Sequence, residues 1–402
     1  MEKEKRRKII LTVSVLAVYI FIRLLILVVL LSGGGPDAQY YVGWGSTHLD
    51  DLFATKGEPP LKEMFFIIPV ALSRHFSLDP IHAVNMFVFS FDIGIGFLLY
   101  KIARKYYDYR GAMLIFLAFS LPTTYTYSLL EAQDEIIATF FFMLMAYAFL
   151  NEKWKTLTVS FFALVNILVF PIFLLPFIYR LLKEEKFFLI VTSIFVIFCG
   201  IFLVHSPDII LSTGGGLLGR GLREGHLAFM SPYTILMMKG WYDPVRILAF
   251  GFFVVATLLC LNFIPNKIQD NDAKFLFYLI LFNLCFVIFF PVPYHHYLAW
   301  CFPLMFLIVP YKFSKERFLF LLFIYNVPWM AGFGINAMYN AQWILSRQFP
   351  LTAFLEDLLP YVFPIIAILL IVVYLNHYAL LRLNYDFYGN FLDGEDGEKS
   401  GK

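Results

Sequence analysis

The sequence predicts an all-α membrane protein, a polytopic bundle of transmembrane helices, and three observations predict it. Of 402 residues, 60% are hydrophobic and only 15% charged, with a mean hydropathy of +0.74. So little charge does not cover the surface of a soluble chain of this size. Apolar runs of membrane-crossing length recur along the chain, and Lys and Arg gather in alternate connecting segments. The net charge of +2, with no basic aromatic patch, leaves no footprint for nucleic acid. The four cysteines, Cys199, Cys260, Cys285 and Cys301, lie in or beside apolar runs with no metal-ligand spacing, so neither a disulfide framework nor a zinc site is indicated.

The first element begins with the basic leader Lys3-Glu4-Lys5-Arg6-Arg7-Lys8, followed by an apolar run from about Ile9 to Leu31. That run exceeds the ~7–15 residues of a signal-peptide core, and no small-x-small cleavage site follows, so it reads as a retained anchor. Further runs fall near 80–100, 111–129, 135–150, 157–170, 171–182, 187–205, 245–263, 275–290, 294–310, 318–335 and 358–378. The pair 157–170 and 171–182 is too short for two ordinary crossings and is punctuated by Pro171 and Pro176. It reads as a shallow hairpin of two short helices entering from the inside. The total is about 11–12 membrane segments, with both termini inside.

Charge supports that orientation. The proposed inside segments hold 22 Lys and Arg and the outside segments 7, the asymmetry expected of cytoplasmic loops. The first outer loop, about 32–79, mixes apolar and charged residues around Leu49–Phe53 and Leu61–Phe66, the pattern of helices lying along the interface. A second outer loop spans about 206–243, and an acidic tail closes the chain. The expected organisation is a membrane module over 1–205, a second over 206–378, and a cytoplasmic tail over 379–402.

Candidate chemistry lies at the outer ends of the spans. Asp37 follows the first span in Ser32-Gly33-Gly34-Gly35-Pro36-Asp37-Ala38-Gln39-Tyr40-Tyr41, where an acid meets a substrate with its tail in lipid and its head in water. Glu131-Ala132-Gln133-Asp134-Glu135 opens the span at 135–150; these acids either cap that helix or bind a metal or hydroxyl. Within the spans, Arg23 and Asp92 lie at depths that differ by roughly 6 Å, a gap an Arg side chain bridges, so they are expected to pair as a packing clamp. Pro291-Val292-Pro293-Tyr294-His295-His296-Tyr297-Leu298-Ala299-Trp300 sets two histidines beside an aromatic belt; on different sides of a helix they do not readily chelate one metal, and one could donate a hydrogen bond to phosphate. Arg220 and Arg223, after a glycine run, are either a phosphate site or a solvated basic loop.

Together these residues resemble the GT-C superfamily of membrane glycosyltransferases, and most nearly the family of the GPI mannosyltransferase I catalytic subunit with its archaeal and bacterial relatives. The likeness is carried by Asp37, by Phe89–Tyr100 with Asp92 inside it, by Asp134-Glu135-Ile136-Ile137-Ala138 against an Asp-Ser-Ile-Val-Ala segment, by Val169-Phe170-Pro171 at the place of a hairpin tip, and by His296-Tyr297-x-x-Trp300 against Gln-Tyr-x-x-Trp. Two departures stand out. The family's Asp-x-Asp is Asp37-Ala38-Gln39 here, and its hairpin-tip lysine is absent.

The resemblance implies a GT-C bundle that transfers a sugar, mannose by analogy, from a polyprenyl-phosphate (dolichyl-phosphate in eukaryotes) to a lipid- or protein-linked acceptor. In that reading Asp37 is the catalytic base. Gln39, Asp134 and Glu135 bind substrate or metal, His295, His296, Arg220 and Arg223 hold the donor phosphate, and Tyr40, Tyr297 and Trp300 contact donor or acceptor. A divalent metal, Mg or Mn, is the cofactor class such a site admits, and the residues leave its presence open. The membrane is the plasma membrane of a prokaryote or the ER of a eukaryote, with the site outside or lumenal. A transporter or flippase for lipid-linked saccharides stays open as the alternative. It needs a polar path at mid-membrane depth, and few ionisable residues besides Arg23 and Asp92 supply one.

Overall fold

The structure, a computed structural model, describes residues 2–33, 37–51, 60–107, 109–120, 129, 133–168, 170–182, 185–205, 242–263, 271–289, 299–300, 303–304 and 307. Helices account for nearly all of them, and there is no strand among the described residues. Among the described residues, two helices have the length and apolarity to cross a membrane, over Arg6–Leu31 and Pro80–Tyr106.

Helix α1 (Glu2–Gly33) is long and leaves most of its apolar side chains uncovered, including Ile9, Val13, Phe21, Leu25 and Val28. One thin stripe, Val15, Arg23, Ile26 and Leu30, is buried. Water would reject such a helix; a hydrocarbon surround accepts it. Its buried stripe packs on α5 (Pro80–Tyr106) and α6 (Tyr109–Ser120). Thr12 meets Tyr109 while Arg23 reaches Asp92 and Ser120, and the Asn85 amide donates to the Leu30 carbonyl at 2.9 Å. These contacts set α1 antiparallel to α5 and parallel to α6.

Between α1 and α5 the chain folds into three short helices, α2 (Ala38–Asp50), α3 (Pro60–Phe65) and α4 (Ile67–Phe76). The segment expected to hold interfacial helices is thus helical over these described residues. Helix α4 ends at Ser77 in the left-handed region (φ 53°), and Asp79 then starts α5 by accepting the Ile81 and His82 amides at 2.8 and 3.1 Å, with Pro80 at the first helical position. Gly45 lets α2 lie against α4: a Cβ there would fall inside contact distance of the Phe66 carbonyl and of Val70. Gly45→Ala is expected to cost about 1–3 kcal/mol by overpacking. Thermal unfolding of the purified protein checks this, and an unchanged midpoint would mean that the α2–α4 approach is loose.

The core is built around α7 (Glu135–Leu150), which buries residues on every side and so belongs to the interior. It runs parallel to α5, with Phe91 on Phe140 and Lys105 on the Leu150 carbonyl at the far end. A tight turn returns the chain as α8 (Trp154–Leu168), and Trp154 packs edge-on against Phe149. The stretch read as a short-helix hairpin continues as a 3-10 turn (Phe170–Leu174) and α9 (Leu175–Leu181), broken at the prolines. Then come α10 (Glu185–His205), α11 (Tyr242–Phe263) and α12 (Asn271–Phe289). Phe275 stacks on Phe149 and Phe282 nears Phe142, so α12 lies antiparallel to α7. Lys105 and Tyr106 both bind Asp272, at 2.9 and 3.1 Å, tying the end of α5 to the start of α12. That end is opposite to Asp37.

The expected spans near 318–335 and 358–378, the outer loop 206–243 apart from Tyr242 and Asp243, which begin α11, and the tail 379–402 lie outside the described residues.

Candidate functional site

Asp37 and Asp134 stand at the N-caps of α2 and α7, and neither side chain caps its helix. Aspartate is a favoured cap, and giving that up forgoes about 1 kcal/mol. Both carboxylates turn instead toward one another's segments. Asp37 Oδ2 accepts from the Gln133 side-chain amide at 2.5 Å. Asp134 Oδ1 accepts from the Tyr41 hydroxyl at 2.9 Å, and the same hydroxyl accepts from the Asp134 backbone N–H at 3.0 Å. The structural expectation that Asp134 serves as a side-chain cap is thereby replaced by a tertiary role.

Lys62 of α3 completes the cluster. Its Nζ lies 2.5 Å from Asp134 Oδ2, with both side chains almost wholly buried, and 5.6 Å from the centre of the Trp44 ring. Next to it Glu63 pairs with His48 Nε2 at 2.7 Å, both fully buried, which fastens α3 to α2. Tyr41 is stacked on Phe66 at 4.3 Å and packed against Trp44. Short helices held this way give the cluster a rigid wall.

The electrostatics follow from burial and crowding. Asp37 is half-buried, and desolvation raises its pKa above the ordinary aspartate value. The charge of Asp134 raises it further, while the Gln133 hydrogen bond and Lys62 pull it back. Burial also pushes the Tyr41 phenol well up, reinforced by Asp134, Glu135 and Asp37, so Tyr41 stays a neutral donor. Glu135 is buried beside Asp134. The cluster gathers three acids, with Asp37 half-buried at its edge and Lys62 buried against Asp134.

The remaining expected site residues fall elsewhere. Gln39 is exposed, and so is Tyr40 at 68%; the buried tyrosine of the pair is Tyr41. Trp300 is buried against Phe142 and Phe286 in the core. Arg23 and Asp92 form a bidentate pair (2.8 and 3.0 Å) deeper in the bundle, apart from the cluster. Arg220, Arg223, His295, His296 and Tyr297 lie outside the described residues. Tyr41, Lys62, Gln133, His48 and Glu63 were not singled out from the sequence. For Tyr41 and Gln133 the signal was adjacency to Asp37 and Asp134.

A divalent metal fits this cluster poorly. The ligand face of Asp134 is taken by Lys62 and Tyr41 and that of Asp37 by Gln133. Among the described residues no group of three or more His, Cys, Asp or Glu is arranged to hold a metal ion. Elsewhere, a small apolar cleft of about 90 Å³ opens between α8, the 3-10 turn, α9 and α10, lined by Phe161, Phe162, Phe188 and Phe195 among others.

No family model matches the sequence, and comparison with curated proteins finds no match.

Proposed function

We propose that this protein is a multi-pass membrane glycosyltransferase. It moves a sugar from a polyprenyl-phosphate donor to an acceptor hydroxyl at the outer or lumenal membrane face. One observation carries the reading: two aspartates at the starts of separate helices forgo capping and join one buried polar cluster just beyond the end of an apolar helix.

In this reaction the acceptor O–H gives its proton to an Asp37 oxygen as the acceptor oxygen attacks the anomeric carbon. The bond from that carbon to the phosphate oxygen breaks on the opposite face, and the polyprenyl phosphate departs with the electron pair. Inversion follows. A glycosidase needs a second carboxyl group to protonate its leaving alkoxide; a phosphate leaves without one, so a single base suffices. Asp134 and Tyr41, hydrogen-bonded to each other, hold the acceptor side in place.

The test is direct. Full-length protein in lipid nanodiscs is incubated with a panel of polyprenyl-phosphate hexoses and lipid-linked acceptors. Transfer with inverted anomeric configuration supports the reading. Retention, or transbilayer movement of a lipid-linked saccharide without transfer (the transporter outcome), overturns it.

A further inference from the structure

We propose that Lys62 is the built-in cation of this site, its ammonium, in place of a divalent metal, supplying the positive charge among Asp134 and its neighbouring acids. The placement of Lys62 does not depend on the reaction; its consequence, that catalysis needs no added metal, rests on the glycosyl-transfer reading.

Four features argue for it. The ammonium is 2.5 Å from Asp134 Oδ2 and buried with it, a charge pair that survives burial only because each member compensates the other. Its field also reaches Asp37 and Glu135, so one cation serves three acids from two segments. The Trp44 ring lies on the ammonium at 5.6 Å. An aromatic face is a good neighbour for an ammonium but no ligand for Mg or Mn, which require oxygen donors at about 2.0–2.2 Å in near-octahedral array. Finally, Lys62 is held rather than mobile: its neighbour Glu63 is locked to His48 at 2.7 Å, and Phe66, one turn on, is stacked on Tyr41.

The experiment reads ion binding rather than activity, so its outcome is separable from that of the transfer assay. Full-length wild type, Lys62→Gln and Lys62→Gln/Asp134→Asn are reconstituted in nanodiscs and titrated with Mn²⁺, followed by electron paramagnetic resonance. The wild type is expected to show no saturable Mn²⁺ site that depends on Asp134. Lys62→Gln leaves the acids uncompensated and is expected to gain one, at least roughly tenfold tighter than any in the wild type, which the double variant loses. A wild-type Mn²⁺ site that Asp134→Asn abolishes overturns the proposal. So does a folded Lys62→Gln protein that gains no site. Should Lys62→Gln fold only when Mn²⁺ is present during purification, that rescue supports the proposal. If it folds under neither condition, the wild-type titration against Asp134→Asn decides.

Discussion

Asp37→Asn is expected to lower the transfer rate by about 10²–10⁴-fold, the range for losing a positioned general base. The amide keeps the shape and can still meet Gln133, so the loss is chemical, and the unfolding midpoint should stay near that of the wild type. The pH profile supplies an independent mark. Asp37 works as a base only when ionised, and burial together with Asp134 raises its pKa. The acid limb of kcat/KM therefore lies above the ordinary aspartate value of about 3.9. Removing the like charge with Asp134→Asn should move that limb down, because ionised Asp37 is then less disfavoured. Gln133→Leu removes a hydrogen bond that favours the ionised form and should move it up. Full activity in a well-folded Asp37→Asn protein would remove Asp37 from the chemistry, and limbs that move the wrong way would assign the acid group to another residue.

The parts of this architecture that were legible in the sequence are those fixed by periodicity and depth. A charged residue inside an apolar run has few partners, and Arg23 and Asp92 lie at depths that nearly match, so their pairing follows from helix rise alone. The break after Leu168 follows from Pro171 and Pro176, since proline removes a backbone donor in mid-helix. Asp37 and Asp134 were visible as acids at span ends that could share a site, although the choice between cap and site for Asp134 was not: the two look alike until the side chain's direction is known. Lys62 was hidden for a different reason. In Leu61-Lys62-Glu63-Met64 it reads as one more basic residue of an interfacial segment, and nothing in local spacing links it to Asp134 far along the chain. Only the fold of α2 and α3 back over the end of α7 brings them together, and that fold depends on tertiary contacts such as His48 with Glu63 and Gly45 beneath Phe66. Tyr40 and Tyr41 make the same point at single-residue scale. Adjacent positions on a helix differ by about 100° in direction, so the exposed ring and the buried one were indistinguishable before the phase of α2 was set.

Removing one member of the Arg23–Asp92 pair is expected to be the most damaging change to stability. Asp92 is wholly buried, and Arg23 meets it with two parallel hydrogen bonds while a third goes to the Ser120 carbonyl at 3.2 Å. The guanidinium is also flanked by the Tyr19 and Phe119 rings at 4.8 and 4.9 Å. Arg23→Met leaves a carboxylate in an apolar surround with no counter-charge, and breaking such a pair costs about 3–5 kcal/mol. The double change Arg23→Met/Asp92→Leu removes both charges and should regain most of that loss, because two buried ions replaced by apolar groups of similar size are close to neutral in net effect. Swapping the charges, Arg23→Asp with Asp92→Arg, should not regain it: the displaced guanidinium would lose the Ser120 carbonyl and both rings. Thermal unfolding of the wild type, Arg23→Met, Asp92→Leu and Arg23→Met/Asp92→Leu in one detergent forms a double-mutant cycle whose coupling term isolates the pair. A coupling near zero would mean that each charge reaches polar headgroups or water by itself, and the clamp between α1 and α5 would then rest on the Asn85–Leu30 hydrogen bond and on packing around Ile26, Leu30 and Val88.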